Sequence, residues 1–341
     1  MRLALAAAFG CGVLARGAGR CSPPTTAADV MRGRDLTGQL HVITGGDKGI
    51  GFATASALAA ANAAVLVACR NESSGAAAAA EIVKATGNPR VTVSQLDLAN
   101  FTSVRMFAAR LSMRSPRIDS LICCAGISWN TDGEAEFTID GFDRVFQVDF
   151  LSHFILVEQL LPVLRSSHGR VILVSSGSSF WPCAEGNLPA GCTELDALPS
   201  VATSRRYFGK NIFGAWSSSY GVAKYLQVFQ AAELARREPS IRAYSLRPGT
   251  TNTSILSQYS SSDPAFLFLC PPGLPHCPQT PEEGAATSTY LAAARATELA
   301  GDNGAHFAAC EPATSVRTEM VLSRGEAATL DYQRGLYDMF L

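Results

Sequence analysis

The sequence predicts an α/β fold built on a doubly wound, mainly parallel sheet with helices on both faces. Three observations carry this reading. Short apolar runs alternate with Ala-rich or amphipathic stretches, the pattern of successive right-handed strand–helix–strand units. The first four runs begin at an interval of about 25 residues, the length of one such unit. Hydrophobic residues make up 47% of the 341-residue chain and charged residues 17%, which is enough apolar surface for a large core and excludes disorder.

The elements follow in order. Residues 1–36 are expected to stand outside the folded body. Arg2, a charge-free stretch from Leu3 to Ala15, and Arg16, Arg20, Arg32 and Arg34 precede most of the acids. That pattern fits a secretory signal peptide first. An organelle transit peptide or an unstructured extension are the other readings. A destination in the secretory pathway or endoplasmic reticulum lumen is therefore preferred, with organelle import second. One domain is expected over residues 37–341. Strands are expected at 39–44, 64–68, 91–96, 120–125, 171–175 and 241–246. Helices are expected at 50–61, 76–86 and 102–113. Uninterrupted apolar runs fall short of the roughly 18 residues a membrane span needs, so no span is expected beyond the leader.

Two long Pro-rich loops interrupt the pattern, at 177–217 and 250–283. Loops of that length usually cover or line a site, and the second is read as a lid on the substrate side. The ten cysteines are too sparse for a disulfide scaffold. Cys69, Cys123, Cys124 and Cys310 read as buried small hydrophobes. Cys183 with Cys192, and Cys270 with Cys277, are candidate disulfides if the chain enters an oxidising lumen. No cysteine and histidine spacing suits a metal. The net charge of −1 provides no basic surplus for nucleic acid.

In parallel sheets, ligands sit beyond the carboxyl ends of the strands, so polar groups there carry most weight. Thr44-Gly45-Gly46-Asp47-Lys48-Gly49-Ile50-Gly51 follows the first strand and opens a helix. Glycines allow a tight turn and close backbone approach, and the helix start offers unpaired N–H groups to a phosphate. Arg70 stands where an NAD site usually has an acid. A guanidinium suits a 2′-phosphate, and Lys48 adds a second cation, so NADP(H) is inferred over NAD(H). Asp97, past the third strand, is placed to accept from an adenine amino group, or else to serve a helix start.

The chain has only four lysines, Lys48, Lys84, Lys210 and Lys224. Tyr220 and Lys224 stand four residues apart on one helix face. A cation about 5 Å from a phenol, at an effective dielectric of 20, contributes roughly 3 kcal/mol, or about two pKa units. The expectation is a phenol acidified enough to exchange a proton with an alcohol or carbonyl. Ser176, at the end of the fifth strand, would hold the carbonyl oxygen.

Taken together, TGGDKGIG (44–51), ACRN (68–71), LDLA (96–99), CCAG (123–126), VILVSS (171–176), YGVAK (220–224) and RPGTTNT (247–253) resemble the short-chain dehydrogenase/reductase family. The resemblance spans about Leu36 to Leu341. The stretches VFQVDFLSHFILVEQLLPVL (145–164) and HFAACEP (306–312) are most similar to the branch of retinol dehydrogenases and WW-domain-containing oxidoreductases. The resemblance implies a Rossmann fold and NADP-linked chemistry on a retinoid, steroid or other lipid-like alcohol or carbonyl. It implies Tyr220 as general acid/base, Ser176 as carbonyl orienter and Lys224 on the nicotinamide ribose. Pro248, Gly249 and Thr250 would line the nicotinamide side. Leu98 and Cys124, Ala125 and Gly126 would line the adenosine side. The small-molecule substrate is the expected partner, and a homodimer is compatible with the pattern. Two departures stand out: Cys123-Cys124 replaces the family's two asparagines, and Asp149 replaces its helix asparagine. They motivate one alternative, a catalytically weak nucleotide-binding sensor on this scaffold; a separate alternative keeps the enzyme but has it reduce a conjugated double bond with Tyr220 as proton donor. His153 and Glu158 read as helix-surface or satisfied residues.

Overall fold

A computed structural model of the chain describes residues 21, 23–128, 136–179, 219–257, 270, 272–315, 317–318, 326–338 and 341. Eight strands form one sheet: β1 (Leu40–Thr44), β2 (Ala64–Cys69), β3 (Val91–Gln95), β4 (Ser120–Cys123), β5 (Arg170–Val174), β6 (Arg242–Leu246), β7 (His306–Ala308) and β8 (Glu311–Pro312). Their order is 3-2-1-4-5-6-7-8. All neighbours run parallel except β8, which returns antiparallel to β7. Each of the first six lies within a residue or two of its expected place. The central strands β1, β4, β5 and β6 have buried middles because both faces of a parallel sheet are covered, whereas in the edge strand β3 only Val91 is buried.

The helices are α1 (Ala27–Met31), α2 (Gly49–Ala60), α3 (Glu72–Thr86), α4 (Phe101–Arg114), α5 (Arg144–Ser166), α6 (Ser219–Arg237), α7 (Pro281–Gly284), α8 (Ala286–Ala293) and α9 (Glu326–Asp338). Caps explain several of the ends. Asn71 accepts from Ser74 N–H at the start of α3, and Gly87 closes that helix at φ 72°. Asn100 accepts from Thr102 and Ser103 at the start of α4. One face of the sheet buries α4, α5 and α6; the other buries α1, α2 and α8. Arg170 ends α8 by donating to the carbonyls of Leu291, Ala292 and Ala294.

β1 pairs with β2 on one side and β4 on the other, with Thr44 opposite both Ala68 and Cys123. The chain changes direction across the sheet here. In open parallel sheets ligands bind above the strand ends at such a point.

The α5 helix is 23 residues long, with a mean hydropathy of 1.2 over its most apolar window, enough to cross a membrane. However, 72% of that window is buried inside the fold, as expected of a core helix.

The segment before Leu36 departs from expectation. Thr26 caps α1 with a reciprocal bond from Asp29, and Ala27, Met31 and Leu36 pack into the core. Arg34 forms a bidentate pair with Glu298 and holds that carboxyl down at about 2. The folded body therefore begins by Cys21, not near residue 37. Leader-like residues 1–20 lie outside the described residues. Cys310 is also not a lone buried thiol: it is disulfide-bonded to Cys21, 289 residues away. No local spacing signals a pair so distant. Of the two candidate bridges, Cys270–Cys277 is present; Cys183 and Cys192 lie outside the described residues. Cys69 and Cys123 are buried free thiols, and Cys124 is half-buried.

Replacing Cys21 by Ser should cost about 2–5 kcal/mol of unfolding free energy. The expected readout is a lower urea midpoint, with reductant lowering the wild-type midpoint at least as far, since it also opens Cys270–Cys277. A midpoint unmoved by either treatment would show that the bridge adds no stability.

Candidate active site

The loop after β1 is shaped by its glycines. Gly45 and Gly49 take φ of 67° and 56°, a region costly for other residues. A methyl on Gly45 would lie 2.9 Å from Ala125 Cα, and one on Gly51 would lie 2.2 Å from the Gly45 carbonyl oxygen. Lys48 caps α2 without a side-chain hydrogen bond. The first backbone bond at this end runs from Phe52 N–H to Lys48 O. The amides of Gly49, Ile50 and Gly51 precede that bond in the first turn, where a helix leaves N–H groups without an intrahelical partner and suited to an anion. Thr253 closes the far side: a methyl on Gly49 would lie 3.3 Å from its Cγ2. Thr253 was not singled out from the sequence, although it ends the quoted RPGTTNT motif.

The two cations sit where the spacing put them. Arg70 follows β2 and is exposed, as is Lys48, and neither has an ion-pair partner among the described residues. Asp97 uses one carboxylate oxygen to accept from Ala99 N–H, so its local turn engages half of it. Leu98 buries its side chain in the core and gives its carbonyl to Ser152 Oγ. Thr44 is a strut behind the site. Its fully buried hydroxyl accepts from the amides of Cys124 and Ala125, each at 3.0 Å, and donates to His153 Nε2 at 2.9 Å. His153 in turn donates from Nδ1 to the Asp149 carbonyl. Its burial drives its pKa down to about 4, so the ring stays neutral and fits this tautomer. It is a satisfied core residue, one of the two roles anticipated.

Beyond β6, Pro248 is half-buried and Gly249 turns at φ 90°. Thr250 accepts from Gln279 N–H at 2.8 Å, and Asn252 N–H donates to Gln279 O at 2.8 Å. Gln279 thus pins the stretch that would flank a nicotinamide. Residues 180–218 and 258–269, which include most of the first long loop, part of the second and the apolar run Ala265–Leu269, lie outside the described residues.

Tyr220, Lys224, Asp149 and Ser176 meet at the centre. The helical spacing sets Lys224 Nζ 5.3 Å from the Tyr220 ring centroid. Lys224 Nζ donates to Val174 O at 3.0 Å and lies 3.3 Å from Asp149 Oδ2. Asp149 Oδ1 accepts from Ile127 N–H at 2.9 Å. A π-helical turn over Gln147–Leu151 presents this carboxylate inward. Ser175 Oγ donates to Lys224 O at 2.7 Å and ties α6 to the sheet. Ser176 is half-buried, accepts from Ser178 N–H at 3.2 Å and hydrogen-bonds the Tyr220 side chain.

The charge balance differs from that expected from spacing alone. Burial raises the Tyr220 pKa; Lys224 opposes this, while Asp149 adds to it. The net result is a phenol that holds its proton more tightly than usual, rather than an acidified one. Two causes, burial and the Asp149 carboxylate, together outweigh the ammonium. Burial alone would depress Lys224, but its neighbours, chiefly Asp149, hold it above the usual value. Asp149 is pushed up to about 6 by burial, against the pull of Lys224. Cys124 is likewise pushed up to about 12 by burial, so it is a neutral thiol.

Comparison with known proteins fits this geometry. The family model described as short chain dehydrogenase matches residues 39–188. Retinol dehydrogenase 11 from Mus musculus is 32% identical over 81% of this chain and 79% of its own length. The chain belongs to the short-chain dehydrogenase/reductase family. That family membership accounts for the sheet order. WW domain-containing oxidoreductase from Danio rerio is 33% identical over 84% of this chain, which spans only 65% of that relative's length. Among solved structures, a short chain dehydrogenase from Shigella flexneri complexed with NADP superposes with a TM-score of 0.58 at 21% identity. It covers 81% of this chain and 98% of its own.

The phosphate-loop geometry makes a direct prediction. Gly51→Ala should lower the thermal midpoint by the equivalent of about 1–3 kcal/mol, because its methyl meets backbone that cannot rotate away. Gly177→Ala, with nothing among the described residues within 4 Å of the added carbon, is the control and should leave the midpoint in place. Equal midpoints for the two variants would show that the loop relaxes freely.

Proposed function

We propose that the protein is an NADP(H)-dependent oxidoreductase that interconverts an alcohol and a carbonyl on an apolar, lipid-like substrate. The observation that carries this reading is the Tyr220–Ser176–Lys224 group, with Tyr220 and Lys224 buried, beside the glycine loop that opens α2. The residues fit a dinucleotide. The Gly45, Gly49 and Gly51 backbone leaves room that side chains would fill, and the α2 amides suit a pyrophosphate. Arg70 and Lys48 suit a 2′-phosphate. The neighbour from Shigella flexneri, complexed with NADP, supports the same cofactor choice. Retinol dehydrogenase 11 among the relatives supports a lipid-like alcohol or carbonyl.

The bound cofactor would supply or accept hydride at the substrate carbon. This chain's own residues do the rest. In the reductive direction, Tyr220 Oη donates its proton to the carbonyl oxygen, while Ser176 Oγ–H orients that oxygen. In the oxidative direction, Tyr220 takes the alcohol proton and must first be ionised. Lys224 holds the ribose side and stabilises the phenolate that forms. Pro248, Gly249, Thr250 and Thr253 would hold the nicotinamide and pyrophosphate side of the cofactor. Water is kept from the proton-transfer centre by burial of Tyr220, Lys224 and Asp149.

We also propose maturation in an oxidising compartment. The Cys21–Cys310 and Cys270–Cys277 bridges support it, as does the basic, apolar start of the chain.

Two substitutions test the function. Arg70→Ala should erase most of an at least tenfold preference for NADPH over NADH, read by fluorescence titration. Equal affinity for the two nucleotides in the wild-type protein would refute the cofactor choice. Tyr220→Phe should abolish turnover in a screen of retinoid, steroid and other lipid alcohols and carbonyls, while keeping nucleotide affinity. Undiminished turnover in that variant would remove Tyr220 from the chemistry.

A further inference from the structure

Asp149 is a carboxylate in the most expensive place to put one. It has no solvent exposure, and it lies against the ammonium on which the proton chemistry depends. Its main-chain carbonyl is already taken, by Gln227 Nε2 at 2.9 Å and His153 Nδ1 at 3.3 Å. The Asp149 group left to meet Lys224 is therefore the side chain. Oδ1 is anchored by the Ile127 amide, and Oδ2 is aimed at Lys224 Nζ and at the space beside Gly126, where an added methyl would lie 2.9 Å from it. The π-helical turn that presents this carboxylate costs regular helix bonding and brings an acid, not an amide, to the site.

We propose that Asp149 is the counter-ion of Lys224, a positioning residue that takes up the ammonium's charge and keeps Tyr220 protonated, so that the site is set to donate a proton to a carbonyl oxygen. The inference rests on Tyr220 as the proton-exchanging group. Its physical basis is charge cancellation. A lone ammonium about 5 Å from a phenol favours the phenolate; paired with a carboxylate in contact, it acts largely as a dipole. The groups facing Tyr220 are Lys224 on α6, Asp149 on α5 and Ser176 beyond β5. Those facing Asp149 are Lys224, the Ile127 amide and, more distantly, Asp143. Tyr220 is raised by burial and by Asp149 and lowered by Lys224 and Ser176, in the sense the geometry requires.

The sign follows. Reduction needs the neutral phenol, so it persists until pH rises through the Tyr220 pKa. Oxidation needs the phenolate, so it gains with pH up to the same point. Removing the Asp149 charge leaves Lys224 uncompensated and should move both limbs to lower pH.

The test uses the full chain labelled with 13Cζ-tyrosine, ligand-free, with the Tyr220 resonance assigned by its loss in Tyr220→Phe. In the wild-type protein the phenol should stay neutral to above pH 10, the usual tyrosine value. In Asp149→Asn its titration should fall by at least about one pH unit. The rising limb of alcohol oxidation should move by the same amount, giving roughly tenfold faster oxidation at a pH on that limb. A folded Asp149→Asn protein with an unmoved Tyr220 titration overturns the proposal, whatever its overall rate. So does a wild-type phenol that ionises below pH 10, a result that needs no variant. If asparagine does not fold there, Asp149→Ser makes the same comparison with a smaller side chain. A Tyr220→Phe enzyme that still turns over defeats the functional reading instead, and leaves the resonance shift to be judged separately.

Discussion

A lysine ammonium sealed from water is the constraint around which this site is organised. Leaving solvent costs such a charge several kcal/mol unless partners replace the lost hydration. Lys224 finds them in three directions: the Val174 carbonyl at the end of β5, the Asp149 carboxylate on α5 and the face of the Tyr220 ring one turn away on α6. Each partner belongs to a different element or turn. Satisfying one charge therefore fixes the mutual positions of two helices and a strand, and with them the position of the phenol.

The supports behind the site follow the same logic of complete accounting. Thr44 has one proton to give and two lone pairs to fill. His153 takes the proton, and the amides of Cys124 and Ala125 fill the lone pairs. His153 returns its own proton to the Asp149 carbonyl. A polar chain thus runs from the end of β1, through the core face of α5, to the residue that faces Lys224. The glycines work by absence. At Gly45, Gly51 and Gly126, backbone or charged groups come so close that a side chain would displace them. The phosphate loop and the proton-transfer centre are held by one set of close approaches, above the carboxyl ends of β1 and β4.

The periphery adds two closures. Cys21 joins Cys310 and ties the start of the described body to the turn between the last two strands. At the other end, α9 lies across α5 and α6. Tyr337 hydrogen-bonds Glu158 and packs edge-on to Phe154 at 5.0 Å, while Gln333 donates to Glu233 at 2.7 Å. Both closures cover elements that carry the site.

Much of this was legible in the chain itself. Six strands and three helices follow from the alternation of apolar runs with Ala-rich stretches, because a strand buried on both faces has little choice of residue. The glycine loop, Arg70, Ser176, and the Tyr220–Lys224 pair follow from local spacing, because a turn, a strand end or one helical turn fixes where such residues lie. What local spacing does not contain, only the tertiary structure decided. Cys21 meets Cys310, the segment before Leu36 joins the core, Thr44 turns out to be a strut, and Thr253 comes to face Gly49. The electrostatic outcome belongs to the same class. From spacing, Lys224 should acidify Tyr220; in the folded chain, burial and a carboxylate from another helix reverse the sign. A pKa depends on every charge and on the water removed around a group, and those are set by elements that are distant in sequence and adjacent only once the chain has folded.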